Sequence, residues 1–177
     1  MQKLKNEELE RISANEYKNS VKTPVVIVLD NIRSMNNIGS AFRTADSFLI
    51  EEILLTGITA QPPHREINKT ALGATDSVPW RYFAHPTDAL DYLHKKKYQV
   101  LAVEQAHEST QIQNFNPQTN TKYALVFGNE VKGVSDEVME QVDGCLEIPQ
   151  KGSKHSLNIS VSIGIVLWDF AQKMKIF

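Results

Sequence analysis

The chain is predicted to be an α/β protein with a mainly parallel sheet covered by helices on both faces. Three observations carry this expectation. Short apolar runs rich in Val, Ile and Leu recur along the sequence, as strands buried on both faces require. Helical patterns fill most of the intervals between them, the alternation that builds parallel sheets. With 177 residues, the chain is long enough for one domain with a sizeable core and short for two.

The elements follow in order. Residues 1–22 interleave Lys3, Lys5, Arg11, Lys18 and Lys22 with Glu7, Glu8, Glu10 and Glu16, as a solvated helix does, and are read as an N-terminal helical extension of a domain over 23–177. Strands are expected at 25–29, 53–56, 80–83, 100–103, 124–127 and 145–148, each bounded by polar or turn-forming residues. Ile38, Ala41, Phe42, Ala45 and Leu49 mark one face of a helix, with Asn37 as its N-cap. Pro86 opens a second helix through Leu93, and Ser135 caps a third through Val142. Lys95, Lys96 and Lys97 close the second helix, where cations complement the dipole. His64, Arg65 and Lys69 are placed in loops, and 107–122 reads as a polar loop with a short extra pairing near Ile112. The last helix, from Leu157 to Phe170, carries apolar residues around nearly its whole circumference, so burial on more than one side is expected, either with a partner subunit over one face or as a simple central core helix.

Composition narrows the class. The hydrophobic share is 41% and the charged share 23%, ordinary values for a soluble protein. No run reaches the roughly eighteen apolar residues of a membrane span, and the polar start does not read as a secretory signal. A lone Cys145 has no intrachain partner, which suits a reducing compartment, and a cytoplasmic location is expected. The formal net charge of −2 argues against a protein that coats nucleic acid nonspecifically, though local basic patches remain available.

Polar signatures sit just past three of the apolar runs. Asn37-Ile38-Gly39 with Arg43 follows the first, Gly128-Asn129-Glu130 follows the fifth, and Ser156-Leu157-Asn158 opens the last helix. Ligands of open α/β sheets bind at such strand ends. The segment 30–37 after the first strand holds no glycine, so the dinucleotide fingerprint is absent at its usual place. Glycines gather instead at 128, 133, 144 and 152, which assigns the ligand cradle to the loops after the last two strands. Each signature has a plainer reading. Arg43 fits a solvated helix face, Glu130 a turn, Ser156 a cap with Asn158 in the first turn, and His155 a loop position.

The combination resembles the SpoU or TrmH family of SPOUT RNA methyltransferases over about residues 23–175. The first motif is met by Asn37, Gly39, Arg43, Thr44 and Ala45. The second is met by Leu125-Val126-Phe127-Gly128-Asn129-Glu130 with Gly133. The third is met by Ile148-Pro149 and by Ser156 to Val161. The resemblance implies a SPOUT-type sheet with a C-terminal trefoil knot, a homodimer with composite sites, and S-adenosylmethionine as cofactor. It places Gly128, Ile148 and Leu157 on the cofactor, with Glu104 or Gln105 at its hydroxyls. It assigns Asn37, Arg43, Glu130, Ser156 and Asn158 to substrate placement and catalysis, and no metal. Arg43 is either the general base or, since guanidinium stays protonated, the grip on the adjacent phosphate.

The implied activity is methyl transfer to an RNA ribose 2'-hydroxyl. tRNA is the favoured substrate, at a D-loop guanosine, with rRNA or the tRNA wobble position as alternatives. A noncatalytic RNA-binding factor retaining the knot competes with this, as does a generic nucleotide-binding α/β protein. Only about twenty residues precede the first strand, so RNA recognition is expected from the catalytic dimer and short basic segments, reading mostly shape and phosphates.

Overall fold

The computed structural model describes residues 1–9 and 11–176, so Glu10 of the expected leading helix and Phe177 of the expected domain lie outside the described residues. Strands β1 (Thr23–Asp30), β2 (Ile50–Thr56), β3 (Trp80–Phe83), β4 (Tyr98–Val103), β5 (Thr110–Gln111), β6 (Lys122–Phe127) and β7 (Gly144–Glu147) form one sheet in the order β3-β2-β1-β6-β4-β7-β5. Every neighbouring pair in it is parallel. The apolar runs are therefore strands, and β5 is the extra pairing expected near Ile112, which itself begins a 3-10 turn.

Alternation along β1 and β6 divides the interior in two. Val25, Ile27, Leu29, Tyr123, Leu125 and Phe127 face one core, shared with helices α2 (Met35–Ser47) and α7 (Ile159–Lys173). Val26, Val28, Ala124 and Val126 face the other, under α5 (Pro86–Lys95) and α6 (Asp136–Met139). Both faces of the sheet are thus covered, the condition under which a parallel sheet is stable. Among the described residues, no helix is long and apolar enough to cross a membrane.

Several helix ends differ from the expectation. Ser34, not Asn37, caps α2, its hydroxyl accepting from the Asn37 amide at 3.3 Å. Asn158, not Ser156, caps α7, accepting from the Ser160 amide at 2.9 Å. Ser135 does precede α6, but its side chain makes no cap bond and the helix ends at Met139. Arg65 and Lys69 lie on a helix, α3 (Arg65–Ala71), capped by the His64 ring, and α4 (Ala74–Ser77) follows. The leading segment forms a 3-10 turn at Asn6–Glu8 and then the short α1 (Ala14–Asn19), stapled by a Ser13–Glu16 capping box. Tyr17 of α1 is 1% exposed and donates its hydroxyl to the Ile50 carbonyl at 2.9 Å, so this helix joins the main core.

Helix α7 buries Ile159, Ile163, Val166, Leu167 and Phe170. Its other side leaves Val161 49%, Ile165 38% and Trp168 56% exposed, with Phe48 edge-on to the Trp168 ring. Within one chain the helix is therefore covered on one side.

Gly39 fixes how α3 rides on α2. A Cβ there would lie 2.1 Å from Thr70 Oγ1 and 2.2 Å from the Ile67 carbonyl, closer than any side chain tolerates. Gly39→Ala is expected to lower the unfolding free energy in urea by about 1–3 kcal/mol, the usual range for overpacking; a loss below about 0.5 kcal/mol would show that α3 moves aside freely.

Candidate functional site

The carboxyl ends of β1, β6, β4 and β7 open on one side of the sheet, where parallel folds bind ligands. The chain leaving β1 is tied down first. Asp30, 1% exposed, accepts from the Ser135 amide and from Asn31 Nδ2, both at 2.8 Å. Burial of an ionisable group at a strand end requires such donors. Asn31, at φ 56°, accepts from the Ile58 amide through Oδ1 at 3.1 Å and from Asn129 Nδ2 through its carbonyl at 2.7 Å. The exits of β1, β2 and β6 are thereby locked together before any functional side chain is placed.

Glu130 is the next link. Its carboxylate accepts from the Arg33 amide at 3.1 Å, the Ser34 amide at 3.0 Å and Asn37 Nδ2 at 3.0 Å. These donors sit at the entrance of α2, where amides lack helical partners and a negative charge is favoured. Burial alone raises the Glu130 pKa, but the hydrogen bonds from Arg33, Asn37 and Ser34 outweigh it and carry the carboxyl below its ordinary value. Asn37 Oδ1 in turn accepts from Asn158 Nδ2 at 3.3 Å. Because Ser34 takes the cap, the Asn37 side chain is available to bridge residues 93 and 121 positions further along the chain.

Beside this chain of bonds lies a cavity of about 690 Å³, lined by residues including Glu104, Gln105, Gly128, Glu130, Ile148, His155, Ser156, Leu157 and Asn158. Most of the residues singled out in the sequence therefore meet around one space. Asn37 does not line it, standing behind Glu130 and Asn158. Arg43 does not line it either. It is exposed on α2, and its guanidinium makes no ion pair or hydrogen bond among the described residues. Ser156 is exposed on the wall, and the His155 carbonyl accepts from Gln105 Nε2 at 2.7 Å.

Glu104 is more constrained than its sequence position indicates. Its oxygens accept from the Gln105 amide at 2.8 Å and the Val134 amide at 3.1 Å. Gly133, at φ 72°, presses on the same carboxylate, since a Cβ there would lie 2.3 Å from Oε2. Gly128 is equally tight, with a Cβ falling 2.0 Å from the Val134 amide nitrogen. Asp30, Asn31 and Asn129, which hold this scaffold, were not among the expected site residues. For Asp30 and Asn31 the only signal was a run of polar, turn-forming residues at the end of a strand, whereas Asn129 stood inside the second motif without a role of its own. Among the described residues, no group of His, Cys, Asp and Glu could hold a metal ion.

The depressed Glu130 pKa makes the latch acid-sensitive. A carboxyl with its folded pKa below the unfolded value of about 4.3 contributes stability that is complete above that value and is lost as pH falls through the folded pKa. Glu130→Gln should therefore be less stable than the parent at neutral pH, with the difference closing in urea titrations below about pH 4. A difference independent of pH would assign the effect to packing.

The chain also has known counterparts. The model of the SpoU rRNA Methylase family matches residues 24–168. The 23S rRNA (guanosine-2'-O-)-methyltransferase RlmB of Blochmanniella floridana is 32% identical over 152 residues, covering 86% of this chain and 59% of that protein. The tRNA (guanosine(18)-2'-O)-methyltransferase TARBP1 of Mus musculus is 29% identical over 153 residues, covering 84% of this chain and 9% of that one. Among solved structures, the AdoMet-bound rRNA methyltransferase of Sinorhizobium meliloti superimposes with a TM-score of 0.79 at 25% identity, covering 88% of this chain and 59% of its own. The chain thus spans 59% of the length of the Blochmanniella protein it matches. With the family model covering most of the sequence and the sheet matching its solved structures, the chain belongs to the SpoU/TrmH family of SPOUT methyltransferases.

Proposed function

We propose that this chain is an S-adenosylmethionine-dependent RNA methyltransferase acting on a ribose 2'-hydroxyl, with a tRNA D-loop guanosine as the favoured target. The observation that carries the reading is the convergence of Glu130, Ser156 and Asn158 with the backbone of Gly128, Ile148 and Leu157 around one cavity. Ile148 is half-buried and Leu157 is exposed, and both line this space with Gly128, so apolar surface suited to an adenine ring lies beside main chain whose polar groups suit its edge. The cofactor, when bound, supplies an electrophilic methyl group on a sulfonium.

The protein's own residues then have to place one hydroxyl and manage its proton. Asn37, held between Glu130 and Asn158, fixes the entrance of α2, and Ser156 and Asn158 offer polar atoms at the cavity wall. Arg43 is assigned to the phosphate next to the target ribose, because a guanidinium fork matches phosphate oxygens and this one is exposed. Gln105, exposed on the cavity wall, is the better placed of the β4 pair for cofactor hydroxyls, since Glu104 is engaged by backbone amides.

A homodimer is part of this reading. Val161, Ile165 and Trp168 form an exposed apolar stripe at helical spacing on α7, and a second copy of the chain is the proposed cover. The knotted threading of the C-terminal segment belongs to the same reading and rests on the family match. Residues 23–177 are assigned to the methyltransferase domain, 1–22 to its extension, and the location to the cytoplasm. An rRNA target is the second reading, favoured by the identity to the Blochmanniella enzyme.

Incubation with methyl-labelled S-adenosylmethionine and separate tRNA and rRNA pools, followed by nucleoside mass spectrometry, tests the proposal. A 2'-O-methylguanosine arising in tRNA is expected. The same product in rRNA alone moves the substrate, and a base-methylated nucleoside contradicts the ribose assignment. Arg43→Lys should slow transfer by about tenfold or more, because an ammonium cannot reproduce the bidentate fork; near-parental rates would remove any role that needs it.

A further inference from the structure

The turn between β6 and α6 is the most tightly pinned feature at the cavity mouth. Asn129 and Gly133 exchange both backbone hydrogen bonds, each at 2.9 Å. Asn129 Oδ1 accepts from the amides of Val131 at 2.9 Å and Lys132 at 3.1 Å, while Nδ2 anchors the turn to the Asn31 carbonyl. The Glu104 carboxylate supports Gly133 from the other side. With the Val131 and Lys132 amides engaged by Asn129, the turn presents two side chains at its tip. Those are Val131, 76% exposed, and Lys132, also exposed, and both line the cavity.

A lone exposed valine is ordinary on a protein surface. This one follows Glu130 directly, is held on a rigid turn at the cavity, and is paired with a cation that makes no ion pair among the described residues. Lys151 and Lys154 are exposed in the segment between Gln150 and His155, which line the same cavity. An apolar knob beside a free cation, with further cations at the rim, matches one occupant: a nucleotide, whose ribose or base offers an apolar face and whose phosphate offers the charge. Among the described residues lining the cavity, Lys132 is the one Lys or Arg, beside Glu104, Glu130 and Asp136, and the Glu104 and Glu130 carboxylates are already taken up by backbone amides.

We infer that Val131 and Lys132 hold the nucleotide flanking the target ribose, Lys132 at its phosphate and Val131 against its ribose or base. The inference rests on the RNA-methylation reading above. Both are positioning residues that act on RNA and not on the cofactor.

The test uses the full chain with unmodified, transcribed tRNA. Filter binding gives tRNA affinity against salt, calorimetry gives S-adenosylmethionine affinity, and methyl transfer gives KM and kcat. Lys132→Glu should weaken tRNA binding by about tenfold and Val131→Asp by about fivefold, while Lys132→Ala lowers the magnitude of the salt slope by about one. Cofactor affinity and the thermal midpoint should stay at parental values. If the parent chain binds and methylates RNA but the variants keep tRNA affinity within about twofold, the inference is wrong. Loss of cofactor affinity in Lys132→Ala would give that lysine to the cofactor instead and equally overturn it. A parent chain that methylates no RNA would fail the functional reading itself, a separate outcome.

Discussion

The Glu130 carboxylate reaches from the end of β6 to the entrance of α2 and there takes up the Arg33 and Ser34 amides and the Asn37 side chain. Those amides come before the first turn of a helix and have no partner inside it. Any group that satisfies them from another part of the chain joins two elements that sequence keeps far apart. An ionised carboxylate does this best, because charge-assisted bonds are the stronger kind and the helix end favours negative charge. Asn37 extends the same chain of bonds to Asn158, so the starts of α2 and α7 and the end of β6 hold one another. The candidate site depends on that three-way tie.

The sheet sets the geometry that makes the tie possible. With β1 and β6 adjacent and β4 next to β6, the exits of all three strands share one side. Asp30 and Asn31 then fasten β1's exit to the neighbouring turns, and Gly128 and Gly133 allow the β6–α6 turn to lie against backbone and against Glu104. Side chains at either glycine would push this turn outward and carry Glu130 with it. Glu104 consequently reads as a strut beneath the turn as much as a cavity wall.

Much of the sheet was legible because strands buried on both faces read as unbroken apolar runs, as in β6, where Tyr123 to Phe127 are all buried; 80–83 coincides with β3 although that edge strand is partly exposed. Helix ends were harder. Ser34 and Asn37 are both good capping residues three positions apart, and only the fold decides which one caps and which turns its amide to Glu130. The same ambiguity moved the α7 cap from Ser156 to Asn158. Helices α3 and α4 escaped because they are short and set among Pro62, Pro63 and Gly73, which signal turns. For the site, resemblance supplied Asn37, Glu130 and Asn158. That they touch follows from tertiary structure, since contacts spanning 93 and 121 positions leave no local pattern. Asp30 was invisible for a related reason, being a single polar residue at a strand end with no periodicity to mark it, while Asn129 stood inside the second motif without any sign of the turn it holds.

If Glu130 and Asn37 work as one unit, their loss should be counted once. The direct measurement is a double-mutant cycle, Glu130→Ala and Asn37→Ala singly and together, read as single-turnover methyl transfer to RNA at saturating cofactor. The tie predicts strong non-additivity, the double variant being about as slow as the slower single one. Two defects that multiply independently would contradict it and would mean that each residue acts on the substrate by itself.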